Sequence, residues 1–254
     1  MAAAVDVADL RFAYPGGPLV LDGVRFSVAA GERVGLIGPN GAGKTTLFLC
    51  LCGVLRVPAG VVRVAGLDPS DPRQRRRLPA HAGVVFSHSD DQLFCATLFD
   101  DVAFGPLNLG LPADEVRERV AEAIGRVGLT GLEQQAPFHL SAGQKRRAAL
   151  AGVLAMRPDV LLLDEPSIHL DPRGRRELVK LVTELPGAQV IAAHDLEFVR
   201  ATCQRVIVID GGRLVADGPA DALLADAALM ERHGLEVPGS LRQAAGGRRQ
   251  EAGF

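Results

Sequence analysis

Val34-Gly35-Leu36-Ile37-Gly38-Pro39-Asn40-Gly41-Ala42-Gly43-Lys44-Thr45-Thr46 runs from an apolar strand through a glycine-rich loop into a helix. The spacing of Gly38, Gly43, Lys44 and Thr45 is that of a phosphate-binding P-loop. Glycines let the backbone turn tightly and approach an anion with no Cβ in the way. The loop amides and the following helix N-terminus then present donors to phosphate. In such a loop Lys44 reaches the β- and γ-phosphates, and the Thr45 hydroxyl is a ligand for Mg²⁺. Asn40, Gly41, Gly43, Lys44, Thr45 and Thr46 are therefore the first nucleotide-binding candidates. The competing reading, a glycine-rich turn with an accidental lysine, does not account for the strand before the loop and the apolar helix after it.

Upstream, Val5-Asp6-Val7-Ala8-Asp9-Leu10 and Val24-Arg25-Phe26-Ser27-Val28 alternate apolar and polar residues, as half-buried strands do. Pro15-Gly16-Gly17-Pro18 reads as a turn. A helix is expected over 45–54 and a further strand of the same small sheet over 61–64. Residues 92–157 read as mostly helical, with Val116, Val120, Ala123, Ile124 and Val127 on one stripe and Pro112 at a helix start. From 160 onward, expected strands (160–163, 189–193, 205–209) alternate with a helix over 177–185. That alternation predicts a parallel sheet with crossover helices. The fold class is α/β: a P-loop NTPase core, an N-terminal β subdomain expected to be antiparallel, and an inserted helical subdomain over about 92–157. One domain spans 1–239, and 240–254 is expected to be a flexible tail.

Leu161-Leu162-Leu163-Asp164-Glu165 is an apolar strand ending in two carboxylates. Ligands of such sheets bind at the carboxyl ends of strands, so Asp164 is a candidate to hold Mg²⁺ and Glu165 to act as general base. An acidic strand end before the turn at Pro166 is the bland reading; its distance from the P-loop gives it weight. His194 follows another apolar strand, Val190-Ile191-Ala192-Ala193, and is placed to bond a γ-phosphate and the attacking water. Ser141-Ala142-Gly143-Gln144 has the form of a helix capping box. A capped helix N-terminus with a serine hydroxyl and a glycine amide also suits a γ-phosphate. Tyr14, the single tyrosine, offers a face for adenine stacking, against a role as a strand aromatic.

In this order (Tyr14, the P-loop, Leu140-Ser141-Ala142-Gly143-Gln144, Leu161–Glu165, Leu170-Asp171, His194), the series resembles the ATPase subunits of ABC transporters over roughly residues 3–240. A finer resemblance, to the ATPases of energy-coupling factor (ECF) importers of the cobalt/nickel type, rests on four segments. They are Asp90-Asp91-Gln92-Leu93-Phe94, the run from Asp100 to Leu111, Gly143-Gln144-Lys145-Arg146-Arg147, and His233-Gly234-Leu235-Glu236-Val237-Pro238. The resemblance implies an ABC ATPase fold and hydrolysis of ATP between two subunits, a homodimer or a pair of paralogues. Ser141, Gly143 and Gln144 would then act on ATP held by the other protomer, and Asp171 would sit in the loop crossing the interface. It also implies two membrane partners, a transmembrane coupling protein and a small substrate-binding membrane subunit. The 92–104 stretch would form part of the groove for the coupling protein's helices, at the cytoplasmic face of the membrane. The cargo would be cobalt or nickel ions. The alternatives are a vitamin-importing ECF ATPase and a soluble non-transport ABC-type ATPase. Three departures stand out. Ser87 occupies the metal-facing position after Val84-Val85-Phe86 where the family has glutamine. Ala142 replaces a glycine. Ser167-Ile168-His169-Leu170-Asp171 is an unusual spelling of its loop.

Composition narrows the field further. With 48% hydrophobic and 23% charged residues over 254 positions, the chain has an ordinary globular balance. A formal charge of −2 gives no basis for a nucleic-acid partner. Cys50, Cys52, Cys95 and Cys203 form no metal-spaced set and read as reduced thiols. No apolar run approaches the roughly 20 residues of a bilayer span, and no signal peptide is visible. The cluster Arg73, Arg75, Arg76 and Arg77 reads first as a solvated face, with lipid headgroups or a partner as the alternative.

Overall fold

The computed structural model describes residues 3–168 and 170–242. His169 and most of the expected tail, 243–254, lie outside the described residues.

The chain opens with β1 (Ala3–Ala13) and β2 (Leu19–Ala29), then β3 (Arg33–Ile37), α1 (Lys44–Leu51) and β4 (Ala59–Val64). β2, β1 and β4 form an antiparallel three-stranded sheet with β1 in the middle. Val5 and Val7 point inward, and so do Leu10 and Phe12, although these two pairs differ in parity. The register shifts between them, where Asp9 adopts φ +53°, so the bulge returns the apolar set to the core.

A short helix, α2 (Pro72–Arg75), and β5 (Ala82–Val85) lead into the helical section: α3 (Leu98–Asn108), α4 (Ala113–Arg126) and α5 (Ala142–Leu154). On α4 the expected stripe is buried through Val116, Val120, Ala123 and Ile124; Val127 is also buried but caps the helix end. The chain then alternates through β6 (Val160–Asp164), α6 (Pro172–Glu184), β7 (Ala188–Ala192), α7 (Leu196–Thr202) and β8 (Arg205–Asp210). It continues with β9 (Arg213–Pro219), α8 (Ala220–Ala225) and α9 (Ala227–Arg232).

The large sheet has the order β5-β6-β7-β3-β8-β9. Its first five strands are parallel, as the alternation predicts, but β9 is antiparallel to β8. That edge hairpin was not expected. Its two-residue turn, Gly211-Gly212, has positive φ at both positions, and β9 alternates exposed and half-buried residues, with only the three apolar residues Leu214-Val215-Ala216 to announce it. α6 begins five residues before the expected 177, because Asp171 Oδ1 accepts a 2.6 Å bond from the Gly174 amide and Pro172 occupies the first turn. α1 ends at Leu51, short of the expected 54.

Both faces of the sheet are covered. Val34, Leu36, Leu162, Val190 and Ile207 pack toward the antiparallel sheet and α1. Leu161, Leu163, Ile191, Val206 and Val208 pack under the helices. β6, β7 and β3 are neighbours in this sheet, so the segments leaving their carboxyl ends emerge side by side.

Candidate functional site

The P-loop leaves β3, Asp164 and Glu165 end β6, and His194 follows β7. The sheet order therefore brings together residues as distant in the chain as Lys44 and His194, 150 positions apart. Asn40, Gly41, Gly43, Lys44, Thr45, Thr46, Ser87, Asp164, Glu165 and His194 all line one cleft. Gly43, at φ +103°, is the residue before α1; a Cβ there would lie 2.9 Å from Leu21 Cδ2. Lys44 Nζ donates to the carbonyls of Gly38 at 2.7 Å and Pro39 at 3.1 Å, and stands 3.3 Å from His194 Nε2. Burial holds the Lys44 ammonium below the ordinary lysine range, against the opposing pull of Glu165 and Asp164.

The Thr45 hydroxyl donates to Asp164 Oδ2 at 2.9 Å. Asp164 is buried, and desolvation pushes its carboxyl up, with the Thr45 bond and the Lys44 and Arg146 charges pulling the other way. Glu165 adopts φ +50°, an uncommon conformation for a residue with a side chain, while its amide still donates to the Ala192 carbonyl at 2.8 Å. Its Oε2 accepts the His194 amide at 3.1 Å. Its Oε1 is buried with no hydrogen-bond partner, 3.5 Å from His194 Nε2. Burial also raises the Glu165 carboxyl, opposed by the His194 amide and ring. An unengaged carboxylate oxygen with raised basicity, on a residue that lines the P-loop cleft, is the chemistry of a proton acceptor for water.

The oxygen donors Thr45 and Asp164, with Ser87 on the same cleft, fit a small hard cation shared with phosphate oxygens. No cluster of three or more His, Cys, Asp or Glu side chains that would cage an ion by itself occurs among the described residues. Tyr14 stands at the P-loop rim, its hydroxyl 3.3 Å from Thr46 Oγ1 and its half-exposed ring edge-on to Phe12 at 5.0 Å.

The other candidates lie elsewhere. Ser141 and Gln144 form the expected capping box: the Gln144 amide donates to Ser141 Oγ at 3.3 Å and the Ser141 amide donates to Gln144 Oε1 at 2.8 Å. Ser141, Gly143, Gln144 and Asp171 share a second surface with Arg147 and Arg173, and none of them lines the P-loop cleft. One chain thus carries the two candidate sets on separate surfaces.

Two residues of the site escaped the reading of the sequence. His88, beside Ser87, lines the cleft. Arg146 is buried behind the carboxylates, where its guanidinium donates to main-chain carbonyls of both Phe86-Ser87 and Asp164-Glu165-Pro166. The available signal was its spacing: Arg146, Leu150 and Val153 share one buried face of α5. The four cysteines are free, and burial pushes the Cys50 thiol up to about 12 and the Cys203 thiol to about 11, so both stay protonated.

A P-loop, two carboxylates and a histidine at the ends of adjacent parallel strands define a nucleoside-triphosphate hydrolase of the α/β class. The ABC transporter family model matches residues 21–168, and the chain belongs to that family of ATP-binding proteins. It is an ATPase of this type. A Gloeobacter violaceus protein is 50% identical over 240 residues, covering 92% of this chain and 97% of its own. The energy-coupling factor transporter ATP-binding protein EcfA of Methanothermobacter thermautotrophicus is 44% identical over 239 residues, covering 92% of this chain and 76% of its own. Among solved structures, CbiO1 of Clostridium perfringens, part of the ABC transporter complex CbiONQ, aligns with a TM-score of 0.81 at 35% identity. That alignment covers 96% of this chain and 100% of CbiO1.

Proposed function

We propose that this chain is the ATP-hydrolysing motor of an energy-coupling factor importer, with cobalt or nickel ions as cargo, acting as a dimer with a second copy or a paralogue. The observation that carries the reading is the division of the site: the P-loop cleft and the Ser141–Gln144 surface each lack what the other holds. Two chains facing each other would complete two ATP sites. In each, Lys44 and the loop amides bind the phosphates and Tyr14 takes the adenine. Thr45 and Asp164, with Ser87 close by, would hold Mg²⁺, which would supply charge stabilisation at the phosphates. Glu165 accepts a proton from water and His194 orients it. Ser141 and Gly143 close on the γ-phosphate from the opposite chain, with Asp171 at the interface.

A membrane partner is supported by a groove lined by Gln92, Leu93, Phe94, Phe104, Asn108 and Met156. Phe94 and Phe104 are exposed and packed edge to face at 4.9 Å. Exposed aromatics in a groove suit the apolar face of a partner helix. No helix among the described residues is long and apolar enough to cross a membrane. The reading therefore adds a transmembrane coupling protein and a small substrate-binding membrane subunit, with this chain peripheral at the cytoplasmic face. The cargo rests on the resemblance of Asp90–Phe94 and Asp100–Leu111 to the cobalt/nickel type of these ATPases.

Mass spectrometry of proteins co-purifying with the tagged chain from solubilised native membranes tests this. Recovery of a coupling protein and a metal-binding membrane subunit is the expected result. A vitamin-binding subunit would change the cargo, and soluble partners alone would remove the transporter.

A further inference from the structure

We propose that Arg146 couples the two ATP sites of the dimer, as a positioning residue that ties the helix reading one ATP to the carboxylates acting on the other. The proposal rests on the two-chain reading above.

Arg146 is 5% exposed, and among the described residues no carboxylate lies within ion-pair distance of it. Its guanidinium instead uses all three nitrogens on main-chain carbonyls. Nη1 donates to Phe86 and to Ser87 (3.0 Å), Nη2 to Asp164 (3.1 Å) and Glu165, and Nε to Pro166 (3.3 Å). A desolvated cation is tolerated only when its donors are engaged. Here the charge is also balanced through space by Asp164 and Glu165. The planar fork fixes direction at several points at once, which a lysine ammonium does not. Arg146 therefore sets the segments leaving β5 and β6 in register with α5.

α5 begins at the capping box of Ser141, about 7 Å along the helix from Arg146. In the two-chain arrangement, that end of α5 meets an ATP whose Lys44 and Glu165 belong to the other copy. The Arg146 end of the same helix holds the backbone of the chain's own Glu165, which serves the second ATP. A helix is stiff over this length, so its placement by one nucleotide is passed to the base facing the other. The Glu165 segment, held at positive φ, leaves little slack to absorb it.

Dimers of two differently tagged copies test the idea. Copy two carries Glu165→Gln, so only the site built on copy one's P-loop turns over. Ser141→Ala in copy one contacts ATP only at the silent site, and Ser141→Asp, which keeps the cap of α5 while repelling the phosphate, must reproduce its effect. The expected result is a loss of turnover at the intact site of about 5- to 150-fold, the range of common coupling between sites. When copy one also carries Arg146→Lys, the Ser141→Ala effect disappears, and homodimers of Arg146→Lys lose the cooperativity of hydrolysis in ATP. An undiminished Ser141→Ala effect in the Arg146→Lys background overturns the proposal. Should Arg146→Lys and Arg146→Gln both fail to fold, the Ser141→Ala dimer still decides, because turnover unchanged at the intact site refutes coupling. Failure of the Glu165→Gln chain to dimerise with ATP overturns the two-chain reading and this proposal together; dimers without transfer between sites overturn this proposal alone.

Discussion

The Thr45 hydroxyl meets Asp164 Oδ2 at 2.9 Å across 119 residues of sequence, joining the first turn of α1 to the end of β6. The pair marks where a cation shared with phosphate would sit. Asp164→Asn keeps an oxygen for the hydroxyl and removes the charge. Hydrolysis is expected to fall on the order of 10²-fold, the equivalent of about 3 kcal/mol of charge stabilisation. The Mg²⁺-dependent part of ATP affinity falls with it, while Mg²⁺-free nucleotide binding is retained. Titrating binding with and without Mg²⁺ checks the split.

Glu165 sets a pH dependence whose sign follows from burial. Its carboxyl is raised above the ordinary glutamate value, so the fold favours the protonated form. The contribution to stability is fully present below the unfolded-state value and is lost as pH rises through the higher folded-state value. Glu165→Gln, uncharged throughout, should therefore melt at a higher temperature than the parent at neutral pH, the difference closing on acidification. Thermal unfolding of the nucleotide-free proteins between about pH 5 and pH 8 measures this; a less stable glutamine variant at neutral pH contradicts it. Turnover of the variant falls by about 10²–10⁴.

Two glycines of the P-loop should respond differently to alanine. Gly43→Ala meets both a φ of +103° and contacts of 2.9 Å to Leu21 Cδ2 and 3.1 Å to the Val20 carbonyl. Gly41→Ala, at φ +78°, meets nothing within 4 Å. The first should lose about 1–3 kcal/mol of stability together with nucleotide affinity, and the second should sit at or below the low end of that range. Chemical denaturation of the two variants gives the order.

Tyr14 is the one tyrosine in a chain without tryptophan, so intrinsic emission reports directly on the P-loop rim. Saturating ATP is expected to change that emission. Tyr14→Ala should weaken ATP binding by about 5- to 150-fold, the equivalent of one lost base stack. Tyr14→Phe, which keeps the ring and loses only the contact to Thr46, should bind nearly as the parent does. Competition against a fluorescent nucleotide reads both variants on one scale.

Much of the architecture is legible before any coordinates. The alternation at 5–10 and 24–28, the P-loop with its flanks, the capping box at Ser141 and the stripe on α4 all encode backbone geometry within a few residues. β9 was illegible because an edge strand half in water carries only three apolar residues, Leu214-Val215-Ala216, before a polar end. The early start of α6 was hidden because its cap lies ahead of its first apolar residue. The burial of Arg146 was hidden for a different reason. An arginine among arginines reads as solvent-facing, and only the convergence of five carbonyls makes its interior place tenable.

The residue series alone thus points to the kind of chemistry and to its candidate parts, since phosphate loops, helix caps and strand-end carboxylates are made by local spacing. Tertiary structure decides their company. Strand order sets β6, β7 and β3 side by side, so Asp164, Glu165 and His194 converge on Lys44. The same packing carries Ser141, Gly143 and Asp171 to another surface. Which segments become neighbours depends on burying both faces of one sheet at once, a condition on the whole chain that no local pattern contains.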